Sequence, residues 1–231
     1  YYKVLNKKLN HYGFQYKLGL NVDIREFNPS GICDSGGLYF TDKKNIINYL
    51  GYGIYIAEIN VPDDAQIYKD PKGIKWKADK IFINKYYPIN DFLMNIVKTR
   101  HNILQLIPEE FKTKELCLKV IENDGWKLSW VPEEFKTEEL CLKAFKNDNS
   151  ILRWIPEEFK TKELCLIAVK KGSATTLQWV PDKFKTYELC EIAVKNSGYA
   201  LQFVPEELKN KELCELAVKN TSSALQWVSK K

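Results

Sequence analysis

Histidine and methionine are scarce in this sequence, which contains two histidines, His11 and His101, and one methionine. No two of its cysteines have the CxxC spacing that is typical of zinc sites and redox motifs. Zinc sites need several Cys or His ligands at short spacings, so we expect no bound metal. The P-loop, GxSxG, HExxH and EF-hand patterns are also missing, and we expect no cofactor.

Long apolar runs are missing as well. No segment approaches the roughly eighteen apolar residues that a membrane span needs, and the first residues lack the apolar region of a signal peptide. The net charge is only +5, and Lys and Glu alternate instead of forming a basic patch. We therefore expect neither a membrane nor a nucleic acid as partner.

The sequence does contain a repeat, in which the motif Ile/Val-Pro-Glu-Glu-Phe-Lys-Thr-x-Glu-Leu-Cys recurs. Its prolines are Pro108, Pro132, Pro156, Pro181 and Pro205. A fixed period of this length is typical of solenoids, in which each repeat buries its apolar face against its neighbours. We predict an α+β domain over residues 1–88, followed over 89–231 by an all-α solenoid of about six 24-residue helical-hairpin repeats.

One repeat shows how the pattern specifies a hairpin. Thr113 is a candidate N-cap, and an apolar stripe at helical spacing follows it, formed by Leu116, Cys117, Val120 and Ile121. Gly125 is expected to end the helix in the left-handed conformation. A shorter second helix then runs to the next proline.

Five of the six cysteines occupy the same position in successive repeats: Cys117, Cys141, Cys165, Cys190 and Cys214. Neighbouring helices pack about 8–10 Å apart, which is too far for a disulfide between equivalent positions. We expect buried free thiols and hence an intracellular, reducing compartment. The sixth, Cys33, is expected to be a turn cysteine, since a catalytic thiol needs a nearby base.

Two further columns recur at the repeat period. The aromatic column, Trp130, Trp154, Trp179, Phe203 and Trp227, is expected in the core because each ring follows a Leu by two residues. The lysine column, Lys112, Lys136, Lys160, Lys185 and Lys209, is flanked by acidic residues, and it predicts a solvated, salt-bridged edge.

Positions that differ between repeats are the candidates for binding a partner. One is the position between the Leu and the aromatic residue, occupied by Gln105, Ser129, Arg153, Gln178, Gln202 and Gln226. The other is the turn between helices, where Trp126 and Tyr199 stand out. The partner predicted is a protein of unknown identity. A second copy of the chain is an alternative, through a C-terminal repeat that lacks a polar cap.

Residues 1–88 have short aromatic or β-branched runs bounded by Gly, Asn, Asp or Pro, which predict strands. The expected strands include Val4-Leu5, Phe14–Tyr16, Gly37–Phe40, Gly53–Ile59 and Lys80–Ile83. Lys43–Leu50 is expected to form one short helix, and Asn10–Gly13 a turn. No Gly/Ser linker separates this region from the repeats.

A dispersed pattern in the same region resembles an uncharacterised module that precedes ankyrin-type repeats in giant DNA viruses of amoebae. The pattern consists of Gly13-Phe14-Gln15-Tyr16, Gly19-Leu20-Asn21, Gly36-Gly37-Leu38-Tyr39-Phe40-Thr41, Tyr52-Gly53 and Val61-Pro62-Asp63-Asp64-Ala65. The helical repeats are similar to an uncharacterised repeat family of bacteria and such viruses. These resemblances imply a viral protein that acts through protein contacts in the host cytoplasm, and we expect a non-enzymatic adaptor.

A second resemblance implies an enzyme instead. Gly37-Leu38-Tyr39-Phe40-Thr41-Asp42, followed by Asn48-Tyr49, resembles a stretch of the ADP-ribosyltransferases. In that family a His and a Tyr orient the nicotinamide-ribose of NAD, and a Glu holds a ribose hydroxyl. The resemblance implies these roles for His11, Tyr49 and Asp79, although Asp79 is one methylene shorter than the Glu. The discriminating feature is whether the three side chains converge in one cleft.

Overall fold

The structure is a computed structural model that describes residues 1–30, 36–71, 73–100 and 102–228. The chain divides into two compact units, Tyr1–Leu116 and the residues from Cys117 onward. Strands give way to helices at Pro88, where the last strand ends and the first α-helix begins. The first unit therefore contains the strands together with the first of the helical repeats.

The described residues of the first unit contain nine strands, and the predicted class, α+β followed by a helical array, is confirmed. The strands are β1 Tyr2–Leu5, β2 Asn10–His11, β3 Phe14–Gln15, β4 Gly19–Val22, β5 Leu38–Phe40, β6 Tyr55–Asn60, β7 Ile67–Lys69, β8 Trp76–Ala78 and β9 Lys80–Pro88. Of these, β2, β4, β7 and β8 are too short or too polar to have been predicted.

Antiparallel pairing assembles the strands into two sheets and a hairpin. The sheet orders are β1-β6-β9-β4 and β5-β8-β7, and β2 pairs with β3. Residues alternate along β9, where Ile81 and Ile83 are buried and Phe82 is exposed, so one face of the sheet is apolar. That face forms the core of the first unit together with residues such as Leu38 and Phe40 of the second sheet.

Two local predictions in this unit are right about the kind of element but wrong in its type or bounds. The helix expected at Lys43–Leu50 is a 3-10 helix at Ile46–Tyr52, because the Asp42 carboxylate accepts hydrogen bonds from the Lys44 and Asn45 amides and holds a turn there. His11 lies on a strand, and only the two residues after it form the turn. Both have positive φ, 49° at Tyr12 and 80° at Gly13, as a two-residue hairpin requires.

Each of the six repeats contains one α-helix. The helices are α1 Ile89–Ile96, α2 Lys114–Ile121, α3 Glu138–Asn147, α4 Lys162–Lys171, α5 Tyr187–Asn196 and α6 Lys211–Asn220. The predicted second helix is a 3-10 helix, at Ile103–Leu106, Gly125–Trp130, Asn149–Trp154, Ala174–Trp179, Gly198–Phe203 and Ser222–Trp227. A third, three-residue 3-10 helix follows each repeated proline, starting with Glu109–Phe111 after Pro108.

The helices begin and pack as the sequence predicts. The Thr113 side chain accepts a hydrogen bond from the Leu116 amide at 3.2 Å, which confirms this N-cap. Thr137, Thr161 and Asn210 cap the corresponding helices of later repeats in the same way. The apolar stripe is buried in each, for example at Leu140, Cys141, Ala144 and Phe145 of α3.

The prediction for Gly125 is wrong, because this residue does not adopt positive φ. It begins the 3-10 helix of its repeat, and a Cβ added there would lie 2.1 Å from the carbonyl oxygen of Ala144 in the next repeat. Gly198 has the same role, with 2.3 Å to the Ala217 oxygen. Glycine is needed at these positions for the close approach of two backbones, and each is followed by an aromatic residue.

Cysteine side chains line the core of the array, and the prediction of buried free thiols is confirmed for all five repeat cysteines. Burial raises the pKa of the Cys141, Cys165 and Cys190 thiols to about 11, so these thiols are protonated at neutral pH. Cys33 lies outside the described residues.

Candidate functional site

The predicted partner-binding positions are mostly at the surface. Arg153, Gln178, Gln202 and Gln226 are exposed on the 3-10 helices of the second unit, and Gln105 is exposed on the first unit. Ser129 differs, since it is half-buried and its hydroxyl has no hydrogen-bond partner in the described part of the chain. Four of the six positions therefore present long polar side chains along the second unit.

The two aromatic turn residues contact the aromatic column of the next repeat. Trp126 is 43% exposed, and its ring centroid lies 5.0 Å from that of Trp154 and 5.6 Å from that of Trp130. Tyr199 is 45% exposed and lies 5.5 Å from Trp227. Each turn aromatic thus extends the column towards solvent.

Arg153 joins two tryptophans of successive repeats. Its guanidinium carbon lies 4.7 Å from the centroid of the Trp154 ring and 5.2 Å from that of Trp179. These distances are within the range of cation–π attraction, which favours Arg over Trp. The arginine therefore holds its planar charge against two ring faces while remaining exposed.

The expectation that the aromatic column belongs to the core is wrong. All five members are half-buried, whereas the Leu two residues before each of the first four is fully buried. The 3-10 helix places these two residues on different faces, so the Leu fills the core and the ring lies at the edge. We define the aromatic strip as Trp126, Trp130, Arg153, Trp154, Trp179, Tyr199 and Trp227.

Two of the exposed glutamines beside the strip use only part of their hydrogen-bonding capacity. The Gln202 amide nitrogen donates to the Tyr199 carbonyl at 3.0 Å, and that of Gln226 donates to the Ser223 carbonyl at 3.1 Å. Each bond uses one of the two amide hydrogens and leaves the side-chain carbonyl as an acceptor. The side chains are thereby oriented and can still bind a ligand.

Four members of the lysine column are salt-bridged as predicted, but the column is not the solvated edge that was expected. Its side chains are largely buried, with 6% of the Lys136 and 7% of the Lys209 side chain exposed. Lys136 and Lys209 pair with Glu133 and Glu206, three residues earlier on the same short 3-10 turn. Burial of the aliphatic stem with the ammonium group paired at the surface accounts for this arrangement.

The residues of the transferase resemblance lie in the first unit, and two of them share a cavity. His11 and Tyr49 line a cavity of about 470 Å³. Asp79 is not among the described residues that line it, and its carboxylate accepts a hydrogen bond from the Gln66 amide at 2.9 Å. The arrangement brings together a histidine and a tyrosine without the acid.

The cavity also contains Lys3, which is not recognisable from the sequence because a single lysine in a strand carries no signal. Its ammonium group lies 2.6 Å from the Tyr39 carbonyl and 3.4 Å from His11 Nδ1. Burial lowers the pKa of Lys3 to about 7. Burial and the nearby Lys3 charge lower the pKa of His11 to about 4, so its ring is neutral at pH 7.

Three consecutive segments of the chain, residues 90–136, 137–185 and 186–231, match a family model described as a domain of unknown function, DUF4116. Together they make up more than half of the chain. The chain belongs to this family. Each DUF4116 segment contains two of the α-helices, so one family domain corresponds to a pair of repeats.

Similar proteins occur in Acanthamoeba polyphaga mimivirus. "Putative ankyrin repeat protein R868" is 40% identical over 88 residues, which cover 36% of this chain and 44% of that protein. "Putative ankyrin repeat protein R229" is 35% identical over 88 residues, or 35% of this chain and 29% of that protein. "Uncharacterized protein R869" is 39% identical over 95 residues, or 39% of this chain and 69% of that protein.

The chain thus spans less than half the length of the two ankyrin repeat relatives. The resemblance to giant-virus repeat proteins, with a helical-repeat family in the C-terminal part, is confirmed. No solved structure matches the chain. Among the described residues, no helix has the length and apolar character to cross a membrane.

Proposed function

We propose that this DUF4116 protein is a non-enzymatic adaptor whose repeats bind a segment of a partner protein along the aromatic strip. The observation that carries the proposal is the set of half-exposed rings, with Arg153 held between two of them. The few residues that carry most of the binding energy at protein interfaces are enriched in Trp, Tyr and Arg. Monomeric proteins usually bury such residues or scatter them singly.

The neighbouring glutamines favour a polypeptide as the ligand. Their side-chain carbonyls and remaining amide hydrogens match the donors and acceptors of a peptide backbone. Solenoids present such side chains at regular intervals along an extended surface, which suits an extended segment. Relatives named for ankyrin repeats support an adaptor role at this general level.

A non-enzymatic role in the cytoplasm of an infected cell is part of the proposal. It is supported by Asp79, which is not among the described residues that line the cavity with His11 and Tyr49 and whose carboxylate accepts a hydrogen bond from the Gln66 backbone amide. Five buried free thiols favour a reducing compartment, where disulfides do not form. The viral relatives favour a host cell as the site of action.

Site-specific photo-crosslinking would test the adaptor proposal. The full chain would carry p-benzoylphenylalanine in place of Tyr199 or, separately, Gln178, and it would be irradiated in amoebal lysate. Tyr187, in the same repeat as Tyr199 but at the start of α5, provides the matched control. We expect one partner protein to be crosslinked from Tyr199 on the strip and from Gln178 beside it, and at least tenfold less from the control position.

Equal crosslinking from Tyr187 would contradict the strip as the binding surface. Absence of any protein adduct from the strip would contradict the adaptor role. Adducts only between two copies of the chain would instead support the alternative of self-assembly. The variant Arg153→Ala, tested in the same lysate, should reduce the adduct at position 178 without unfolding the chain, because Arg153 is exposed.

A further inference from the structure

Aromatic side chains make up much of the lining of the cavity in the first unit. It is bordered by β1, the β2–β3 hairpin, β5 and the 3-10 helix Ile46–Tyr52. Its aromatic lining residues include Tyr12, Phe14, Tyr39, Tyr49 and Tyr52. A volume of about 470 Å³ lies within the range of small-molecule sites, which are typically apolar clefts with a few polar groups.

One polar group of the cavity lining lacks a partner. His11 Nε2 is buried and makes no hydrogen bond within the described residues. Its other ring nitrogen, Nδ1, lies 3.4 Å from Lys3 Nζ, and a protonated Lys3 can only donate in that pair. With Lys3 protonated, the proton of the neutral His11 ring is on Nε2, so the ring offers a donor that needs an acceptor. Buried donors without acceptors are rare in folded proteins.

The charge of the cavity lining is positive. Lys3 is only 3% exposed and has no carboxylate within ion-pair distance in the described chain. Arg25 and Lys75 also line the cavity, and none of the described lining residues is acidic. The Arg25 charge is offset by Asp23 at 3.3 Å, whereas Lys3 is held by a carbonyl, a ring nitrogen and the face of Tyr16. A buried cation of this kind favours an anionic ligand.

We propose that this cavity binds a small ligand in which a planar aromatic ring carries an anionic oxygen group, either a carboxylate or a phosphate. The ring packs against the tyrosine walls, and the anionic oxygens accept hydrogen bonds from His11 Nε2 and Lys3 Nζ. The inference concerns the first unit alone and is independent of the adaptor role of the repeats. It involves binding only and no chemical step.

Titration of the full, isotope-labelled chain by NMR would test this proposal. The probes are three aromatic anions, namely benzoate, phenyl phosphate and AMP, which separate a carboxylate from a phosphate requirement. Benzyl alcohol supplies the ring without the charge, and inorganic phosphate supplies the charge without the ring. We expect at least one aromatic anion to saturate, with shifts at Tyr39 and Tyr49, and to bind at least tenfold more tightly than both controls.

Variants connect this binding to the two donors. His11→Leu and Lys3→Met should each weaken binding of the aromatic anion by about tenfold, whereas Lys85→Met, an exposed lysine on β9, should leave its affinity unchanged. His11 lies on the short β2–β3 hairpin, so its variant tests the site even if loss of Lys3 perturbs folding. Three results would overturn the proposal: no saturation by any aromatic anion, equal affinity in wild type and His11→Leu, or equal affinity for inorganic and phenyl phosphate.

Discussion

The two units of the chain bury lysines in different ways. In the second unit, Lys136 and Lys209 each pair with a carboxylate three residues earlier, and the motif recurs at the same position of the repeat. In the first unit, Lys3 lies among a carbonyl, a histidine and an aromatic ring that distant parts of the sequence bring together. A local pair that recurs in four repeats supports the fold, whereas Lys3, whose partners come from several elements, lies at the cavity proposed to bind a ligand.

The same contrast extends to the apolar core. In the repeats one set of side chains is buried again and again, and the face that differs between copies lies at the surface. In the strand region of the first unit no motif recurs, and polar and aromatic side chains converge on one cavity. Stability is thus spread along the array, while the specific chemistry of the first unit is concentrated at one place.

The largest loss of stability is expected when a repeated core side chain is removed from the array. Leu152→Ala deletes a fully buried side chain and should lower the free energy of unfolding by about 2–5 kcal/mol. Leu225→Ala, at a position that is 65% exposed, should change it by less than about 0.5 kcal/mol. Urea denaturation followed by tryptophan fluorescence would measure both, and equal effects would refute packing as the source of stability.

Close backbone approach between repeats provides a second test. In Gly198→Ala the new methyl group meets the Ala217 carbonyl oxygen, and the required shift should cost about 1–3 kcal/mol. Gly51→Ala in the first unit, where no atom lies within 4 Å of the added Cβ, should be neutral. Thermal unfolding of the two variants would show the difference. An unchanged melting temperature in Gly198→Ala would mean that the two repeats can move apart at no cost in stability.

The pH dependence of the free energy of unfolding tests the difference between the buried Lys3 and the paired lysines of the repeats. The folded-state pKa of Lys3 is about 7, below its ordinary value of 10.5, so between these values the unfolded chain binds one more proton. Stability should therefore rise from pH 7 to pH 9 by about 1–2 kcal/mol. The buried thiols end this rise. Their ordinary pKa is about 9 and burial raises it, so the free energy of unfolding falls again above about pH 9.

Lys3→Met should remove this rise, and Lys170→Met, an exposed lysine of α4, should preserve it. Urea midpoints at pH 7, 8 and 9 would provide the measurement. A slope that persists in Lys3→Met would show that another group is responsible.

Prediction from the sequence was most successful where structure is local and repeated. The six helices, the Thr113 cap and the buried cysteines follow from spacing along the chain, because i, i+3 and i+4 positions share a helix face. The placement of Trp154 and Lys136 was wrong for a related reason. A fixed period indicates the same environment in every repeat, but it does not distinguish a buried face from a half-buried edge.

The candidate site of the first unit was only partly accessible to prediction. His11 and Tyr49 were singled out through a family resemblance, but Lys3 could not be, because its environment depends on long-range contacts with Tyr39 and Tyr16. The sequence also did not indicate that the second helix of each repeat is a 3-10 helix. Its residues satisfy helical propensity, and the turn type is decided by packing against the neighbouring repeat.

The glycine–aromatic pairs Gly125-Trp126 and Gly198-Tyr199 have a consequence for how such arrays can evolve. Each pair contacts the following repeat twice, through the glycine backbone and through the ring against Trp154 or Trp227. The contacted residues belong to columns that recur along the array, so a repeat that carries the pair meets an equivalent backbone carbonyl and an aromatic residue in other repeats that could follow it. Such a repeat can therefore be moved within the array as a single unit.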